Sequence, residues 1–257
     1  MFFQIIESSS SGNSAFLECD GVRILIDAGA RVRKIKSFLR ERKLSIEDID
    51  AIFITHEHTD HFQSLHSFAD VNAKVFANRT TAEYIQYKEP STKKMQWHLF
   101  ETGQSFNFYG VDITSFSIPH DTSDPVGFTF THNGKKLVYA TDLGKITHSV
   151  RDIASSANVL VLESNYCPLM LERSSRPYSL KTRITGSCGH LSNADAIALI
   201  ETLPQSIERI FLSHISRQCN DVNHIAELLT KSNIPEVLLS NIEVVSPHSE
   251  SSSAYEF

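Results

Sequence analysis

The stretch Thr55-His56-Glu57-His58-Thr59-Asp60-His61 indicates both the fold and the chemistry of this chain. It follows residues 51–54, an apolar run of β-branched and aromatic residues that is typical of a buried strand. Three imidazoles and one carboxylate therefore follow directly after the predicted strand, where they can face a metal ion. Glu57 and Thr59 alternate with them and are expected to point away. The alternative is a solvated turn that is rich in histidine by chance. The dense spacing favours a metal-binding loop.

Further candidate ligands follow apolar strands later in the chain. His120 comes after the predicted strand Val111–Ile118, Asp142 after Lys136–Ala140 and His214 after Arg209–Leu212. With the first loop they provide five imidazoles and two carboxylates, which is enough for two neighbouring divalent ions. Imidazole and carboxylate ligands without thiolates suit Zn²⁺, Mn²⁺ or Fe better than a structural zinc site. The seven candidate ligands are His56, His58, Asp60, His61, His120, Asp142 and His214.

Composition predicts an ordinary globular protein. The chain has 257 residues, 41% of them hydrophobic and 21% charged, and its net charge is −6. We expect a single domain over residues 1–245 and a disordered, Ser-rich tail over residues 246–257. Because the overall charge is negative, any nucleic-acid contact must depend on a local basic patch. No export signal and no long apolar run are visible, so we expect a cytoplasmic protein without a membrane partner, with its four cysteines reduced.

Three other segments bear on function. The polar run Ser8–Ser14 predicts a loop in which Ser11 and Asn13 contact an anionic substrate, or else a flexible turn. Residues 32–42 predict a surface helix with a solvated basic face. Residues 164–189 show little periodicity and predict a long loop, which is usually functional or mobile. Its basic residues can track phosphates, and the alternative is a solvated basic loop; they include Arg173, Arg176 and Arg183.

The run His56–His61 resembles the His-x-His-x-Asp-His signature of metallo-β-lactamase-fold hydrolases. The resemblance implies an α+β fold, a four-layer αββα sandwich with the site at one edge of the sheets. It implies that Asp27, at the end of the strand Val22–Ile26, positions the ligands in residues 55–61, the metal loop, without binding metal itself. The alternative is a helix-capping aspartate. By the family pattern, one metal ion would be held by His56, His58 and His120, the other by Asp60, His61 and His214, and Asp142 would bridge them.

Other runs narrow the resemblance to one branch. Residues 120–128 are similar to the His…Gly-aromatic run of ribonuclease Z-like enzymes. The runs at residues 9–14, 163–165, 189–193 and 213–216 look like the short bacterial YycJ/WalJ-type exonucleases. This chain departs from that group at Tyr166-Cys167, where the group tends to have His-Asp.

The resemblance implies a dinuclear metal-dependent phosphodiesterase, a 5′ exonuclease acting on DNA rather than RNA. A metal-bridging hydroxide would attack the phosphoryl group. Asp60 would orient it, and His190 would bind the scissile phosphate or protonate the leaving oxygen. Substrate contacts are expected from His190 and from Ser11, Asn13, Asn165, Arg173, Arg176 and Arg183. The alternative is a small-molecule hydrolase acting on a cyclic phosphodiester, a thioester or a lactone. We expect zinc as the metal, with manganese or iron as alternatives, while the oligomeric state stays open.

Overall fold

A computed structural model describes residues 1–248 and 251–257 of the chain. These residues form two compact units. The first unit comprises Met1–Ser117, Thr122–Val126 and the described C-terminal residues. The second unit comprises Ile118–Asp121 and Gly127–His248. The predicted single domain over residues 1–245 stays a prediction.

The first unit is organised around a seven-stranded sheet. Antiparallel pairing joins its first strands, and parallel pairing joins β3 (Val22–Ile26) to β6 (Gln96–Phe100). Since the carboxyl ends of parallel strands meet at one edge, the residues that follow β3 and β4 (Ala51–Phe53) become neighbours. In sheet order the strands are β14 (Tyr255–Glu256), β1 (Phe2–Ser9), β2 (Gly12–Cys19), β3 (Val22–Ile26), β4 (Ala51–Phe53), β5 (Lys74–Asn78) and β6 (Gln96–Phe100).

Helices and a hairpin complete the first unit. Helix α1 (Val32–Glu41) forms because Ile35, Phe38 and Leu39 recur at helical spacing and are buried against the sheet. The chain following the metal loop forms α2 (Thr59–Phe62) and a 3-10 turn at Leu65–Phe68. The remaining elements are α3 (Arg79–Lys88), the hairpin β7 (Ser105–Phe108) and β8 (Val111–Ser117), and 3-10 turns at Ile46–Asp48 and Pro90–Lys94.

The second unit contains a sheet whose strands present the second group of site residues. A hairpin turns at Asn133-Gly134, and both turn residues have the positive φ that such a turn needs, 50° and 79°. From β10 (Lys135–Ala140) onward all pairings are parallel, so the segments after β10, β11 (Val159–Glu163) and β12 (Arg209–Ser213) emerge at the same edge. The strands are β9 (Val126–His132), β10 (Lys135–Ala140), β11 (Val159–Glu163), β12 (Arg209–Ser213) and β13 (Ile242–Val244).

Six helices of the second unit include two where the sequence predicted a loop. Residues 164–189 contain α5 (Pro168–Arg173) and α6 (Tyr178–Thr185). Leu171 and Ile184 pack with Tyr166 and Cys219 in a small cluster, which is too sparse in sequence to show a period. None of the helices among the described residues is long and apolar enough to cross a membrane. The others are α4 (His148–Ser155), α7 (Asn193–Ile200), α8 (Val222–Thr230) and α9 (Glu236–Leu239).

Two Ser-rich segments are more ordered than the sequence suggested. Residues 8–14 are not a loop, because β1 and β2 run up to a two-residue turn and the buried Ser9 backbone N–H bonds Asn13. In the predicted tail, β14 pairs with β1, and the Ser252 hydroxyl accepts a hydrogen bond from the backbone of Ile5 at 2.9 Å. Internal pairing of their hydroxyl and backbone groups lets these polar residues be buried. Residues 249–250 of that prediction lie outside the described residues.

Replacing Leu162 with alanine should lower the free energy of unfolding by about 2–5 kcal/mol. Leu162 is fully buried in β11, between Ala140 and Leu212 on the flanking strands, so truncation leaves a cavity. Val237→Ala is the control, because Val237 is 58% exposed, and it should cost about 0.5 kcal/mol or less. Urea unfolding followed by circular dichroism measures both, and equal costs would contradict the placement of Leu162.

Candidate metal centre

Asp27 fixes the metal loop (residues 55–61) of the first unit through hydrogen bonds. It lies just past the end of β3, fully buried, in a left-handed conformation with φ of 60°. Its carboxylate accepts hydrogen bonds from the Thr55 backbone N–H at 2.9 Å, from the Thr55 hydroxyl and from His61 Nδ1 at 2.8 Å. Burial raises the pKa of Asp27, while His61 and Thr55 act in the opposite direction.

These hydrogen bonds fix the protonation of two histidine rings. A carboxylate only accepts, so His61 carries its proton on Nδ1 and presents the lone pair of Nε2. The Thr55 hydroxyl is already committed to Asp27, so His56 Nδ1, at 3.0 Å, donates to it and also leaves Nε2 with a lone pair. Orientation of a ring by its other nitrogen is typical of metal-binding histidines.

The other predicted ligands of this loop lie beside those rings. His56 Nε2 and His58 Nδ1 are 3.1 Å apart. Asn13, a predicted substrate contact, is almost fully buried, and its amide donates at 3.1 Å both to Asp60 Oδ2 and to His61 Nε2. The first unit therefore brings His56, His58, Asp60 and His61 together around Asn13 and Asp27.

Gly29 allows the chain before α1 to approach the metal loop closely. A Cβ atom at this position would lie 1.6 Å from the Asp60 carbonyl oxygen. The Ala28 N–H donates to the His61 carbonyl at 2.8 Å, and the Ala28 carbonyl accepts from Ser64 at 2.9 Å. The start of α1 is thus fixed directly to the loop that carries the candidate ligands.

In the second unit the corresponding centre is Glu163, at the end of β11 and fully buried. Its Oε1 accepts from His190 Nδ1 at 2.7 Å and from His214 Nδ1 at 2.8 Å. Its Oε2 accepts from the backbone N–H groups of Leu143 at 2.9 Å and Leu191 at 3.1 Å. Burial alone would raise the pKa of Glu163, but His190 and His214 hold it below its ordinary value.

Asp142 and His214 lie within this network. One ligand atom from each of Asp142, Glu163, His190 and His214 lies within 4.8 Å of the others. Asp142 Oδ1 is 3.4 Å from His214 Nδ1 and 3.7 Å from His190 Nδ1. Asp142 and His214 both have left-handed backbones, with φ of 58° and 53°. Such conformations are strained for residues other than glycine, and they concentrate at functional sites.

His120 is oriented by a backbone carbonyl of the same unit. Its Nδ1 donates to the Gly189 carbonyl oxygen at 2.9 Å, and its Nε2 lies 3.8 Å from Asp142 Oδ1. Burial lowers the pKa of His120, which favours the neutral imidazole that binds metals. The structure thus brings His120 to Asp142 and His214 within the second unit.

The donor set fits divalent metal ions. His56, His61, His120 and His214 each have Nδ1 within hydrogen-bond distance of an oxygen, so Nε2 carries the lone pair that a metal ion would bind. Imidazole nitrogens with carboxylate oxygens, and no thiolate, form a set that zinc accepts readily.

Glu163 is the residue of this candidate site that sequence reasoning missed. The sequence analysis included it only within residues 163–165, one of the runs that look like the YycJ/WalJ-type exonucleases. The signal that could have found it is a lone carboxylate ending the apolar run Val159–Leu162. A charge at the end of a buried strand needs partners, and here two histidines and two backbone N–H groups supply them.

The predicted substrate residues lie in different surroundings. Ser11 is exposed at the β1–β2 turn. Asn165 is buried, and its amide donates to the His214 carbonyl at 2.8 Å, so it supports that loop. Arg173 is exposed at the end of α5, Arg176 Nε donates to Gln218 at 3.3 Å, and Arg183 forms an ion pair with Asp121. Their contact with substrate stays a prediction.

A family model described as the β-lactamase superfamily domain matches residues 22–215. The chain belongs to this superfamily. The match spans both the first loop and His214, and it confirms the metallo-β-lactamase fold of the α+β class that the sequence predicted. That fold implies binding of divalent metal ions.

Curated relatives confirm the predicted branch. The chain is 35% identical over 230 residues to exodeoxyribonuclease WalJ of Streptococcus pneumoniae serotype 2 (strain D39 / NCTC 7466), covering 88% of this chain and 85% of the relative. It is 29% identical over 230 residues to exodeoxyribonuclease YycJ of Bacillus anthracis, covering 89% of this chain and 87% of the relative.

Solved structures share the fold at low sequence identity. Zinc-bound PqqB from Methylobacterium extorquens superposes with a TM-score of 0.77 at 15% identity, over all of both chains. The metallo-β-lactamase fold protein YhfI from Bacillus subtilis gives a TM-score of 0.72 at 13% identity, over 99% of this chain and 98% of the other. At such identities the likeness concerns the fold alone.

Replacing Glu163 with glutamine should weaken divalent-metal affinity by about 10- to 100-fold. Glutamine keeps the volume but offers one accepting oxygen instead of two, so it cannot hold both histidines and both backbone N–H groups. Competition titration of zinc against a chromophoric chelator measures the affinity.

The matched control is Glu208→Gln. Glu208 is a partly exposed carboxylate that bonds Lys135 and Asn158, so its replacement should leave zinc affinity unchanged. Equal zinc affinity of the Glu163 variant and the wild-type protein would show that Glu163 does not orient metal-binding histidines.

Proposed function

We propose that the protein is a dinuclear metal-dependent phosphodiesterase that acts as a 5′ exonuclease on DNA. The observation that carries this proposal is that two buried carboxylates, Asp27 and Glu163, bond Nδ1 of the buried His61 and His214, so that Nε2 of each ring is presented as a ligand. The relatives named exodeoxyribonuclease, matched over 88% and 89% of the chain, support the nuclease activity.

Both sets of histidines would serve one pair of metal ions, with zinc as the proposed metal and manganese or iron as alternatives. His61 and Asp60 share the Asn13 amide, which supports their assignment to one ion. Asp142 approaches both His120 and His214, which supports its role as the shared ligand. One ion would be held by His56, His58 and His120, and the other by Asp60, His61 and His214.

Divalent ions supply Lewis acidity, which activates water as a nucleophile and offsets negative charge at a phosphoryl group. The Asp60 side chain is about one quarter exposed, and Asn13 holds one of its oxygens, so it can orient a water molecule. The His190 side chain is 22% exposed, and its Nδ1 is bonded to Glu163. As a general acid it would be the imidazolium ion, with Nδ1–H donated to Glu163 and a second proton on Nε2 for the leaving oxygen, and its Nε2 would then not bind metal.

Substrate contacts would come from the segment that contains α5 and α6. Arg173 and Arg176 carry positive charge in the same segment as the exposed Tyr178. Cations bind phosphates, and an aromatic ring can stack on a base. Arg183 contributes less net charge, because Asp121 pairs with it. Ser11 in the β1–β2 turn, Asn13 in β2 and Asn165 after β11 would support the bound strand.

Asp142→Asn should lower cleavage of 5′-labelled duplex DNA by about 100-fold or more, because a shared anionic ligand is lost. Removal of metal with a chelator should abolish cleavage, and added zinc or manganese should restore it. Asp152→Asn, an exposed carboxylate on α4, is the matched control and should retain full activity.

A panel of five substrates distinguishes a nuclease from a small-molecule hydrolase. Duplex DNA, single-stranded RNA, bis(p-nitrophenyl) phosphate, a thioester and a lactone are assayed side by side. Full cleavage of DNA by the chelated protein or by the Asp142 variant would remove the proposed metal chemistry. Turnover of the thioester or lactone alone would replace the nuclease by a small-molecule hydrolase.

The double replacement of Arg173 and Arg176 by alanine should reduce the salt dependence of DNA binding. Each lost phosphate contact lowers the slope of log K against log salt by about 0.9. Arg183→Ala should have a smaller effect, since its charge is already offset by Asp121. Fluorescence anisotropy at several salt concentrations measures the slopes, and an unchanged slope in the double variant would exclude these arginines as phosphate contacts.

A further inference from the structure

The first unit carries a concentration of positive charge that the proposed chemistry does not use. Residues 31–43, which include α1, contain seven cations and one acid, Glu41, although the whole chain has a net charge of −6. This segment is therefore a local basic patch on an acidic protein. Its cations are Arg31, Arg33, Lys34, Lys36, Arg40, Arg42 and Lys43.

Two of these cations are engaged within the unit. Lys34 Nζ lies 3.5 Å from Glu7, and Arg42 lies 3.5 Å from Glu18 with its guanidinium 3.6 Å from the centre of the Phe2 ring. The other five side chains are exposed, and within residues 1–248 and 251–257 they make no ion pair or side-chain hydrogen bond. Among the described residues, no carboxylate therefore forms an ion pair with any of these five cations.

Three of the exposed cations form a stripe along α1. Arg33, Lys36 and Arg40 are spaced i, i+3 and i+7, which places them on one face of a helix. At 1.5 Å per residue, the stripe is about 10 Å long. The opposite side of the helix is anchored, because Ile35, Phe38 and Leu39 are buried in the core.

The stripe begins beside the metal loop. Helix α1 starts three residues after Gly29, which is in backbone contact with Asp60, and Ala28 is hydrogen-bonded to His61. These contacts fix the helix relative to two of the proposed ligands. A strand that lies along the stripe is thereby led towards the loop.

We infer that the α1 stripe binds the phosphate backbone of double-stranded DNA whose end is presented to the metal loop. The inference takes its ligand from the proposed exonuclease function. Exposed cations that neutralise phosphates supply sequence-independent affinity, which an exonuclease needs on any DNA end. Fixed backbone contacts between helix and loop keep the bound strand in register with the site.

The apolar surface of α1 argues against a membrane as the partner. A helix that binds a bilayer surface inserts large apolar side chains below its cationic face. Here the apolar face of α1 is committed to the protein core. Among the described residues, the exposed large hydrophobic side chains all lie outside residues 31–43. Phosphate contact without insertion is therefore the mode of binding that this surface supports.

The test compares two triple variants that change net charge equally. The stripe variant is Arg33→Gln, Lys36→Gln and Arg40→Gln, and the control is Lys88→Gln, Lys93→Gln and Lys231→Gln, three exposed lysines on other elements. Both are made in the full chain with Asp142→Asn, so that the DNA probe survives. Thermal unfolding establishes that both variants are folded.

Binding of a fluorescent 20-base-pair duplex with a 5′ phosphate is measured by anisotropy from 50 to 200 mM salt. The stripe variant should bind about 10-fold or more weakly, with a slope of log K against log salt reduced by about 2 to 3. The control should stay within about twofold of its parent. Anionic phosphatidylglycerol vesicles are measured in parallel and should bind neither protein.

Equal losses in the two triple variants, or an unchanged slope in the stripe variant, would overturn the inference. So would vesicle binding that depends on the stripe while DNA binding does not. The proposed function is judged separately, by cleavage of the duplex by the metal-loaded wild-type protein. Cleavage together with stripe-independent binding would overturn only this inference, whereas stripe-dependent binding without cleavage would overturn only the proposed activity.

Discussion

The site depends on one kind of hydrogen bond, in which the Nδ1–H of a histidine donates to a buried carboxylate. Asp27 receives it from His61, and Glu163 receives it from His190 and His214. Each bond places a proton on Nδ1 and points Nε2 away from the carboxylate. Burying the carboxylate is costly, and backbone N–H groups of Thr55, Leu143 and Leu191 offset that cost.

The same arrangement occurs in each unit because parallel strands end at a common edge. Asp27, Asp142 and His214 follow β3, β10 and β12, and all three have a left-handed backbone. A residue with a Cβ atom pays of order 1–3 kcal/mol for such a conformation, and the hydrogen bonds around it must compensate. The residues at the strand ends are therefore strained and lie at the candidate site. Because hydrogen bonds hold them in place, we expect substitutions of their hydrogen-bond partners to weaken metal binding.

Local signals made part of this architecture predictable. The strands β4, β10 and β12 are short apolar runs, and the ligands come directly after them, so spacing alone indicates the metal loop and its partners. The contribution of Glu163 depends on His190, 27 residues away, and His214, 51 residues away, and no local pattern carries that information. The helices α5 and α6 were missed for the same reason, since Leu171 and Ile184 are buried only through tertiary contacts.

Electrostatics links the metal loop to the basic helix. The net charge of −6 on the whole chain opposes the approach of a polyanion. Divalent ions would offset that repulsion at the loop itself, but screening limits their influence to about 8 Å at physiological salt. DNA further along the bound strand then needs cations from the protein, and Arg33, Lys36 and Arg40 provide them on an element fixed to the loop through Gly29. An acidic protein can in this way hold a polyanion along one face while its remaining surface discourages non-productive contact.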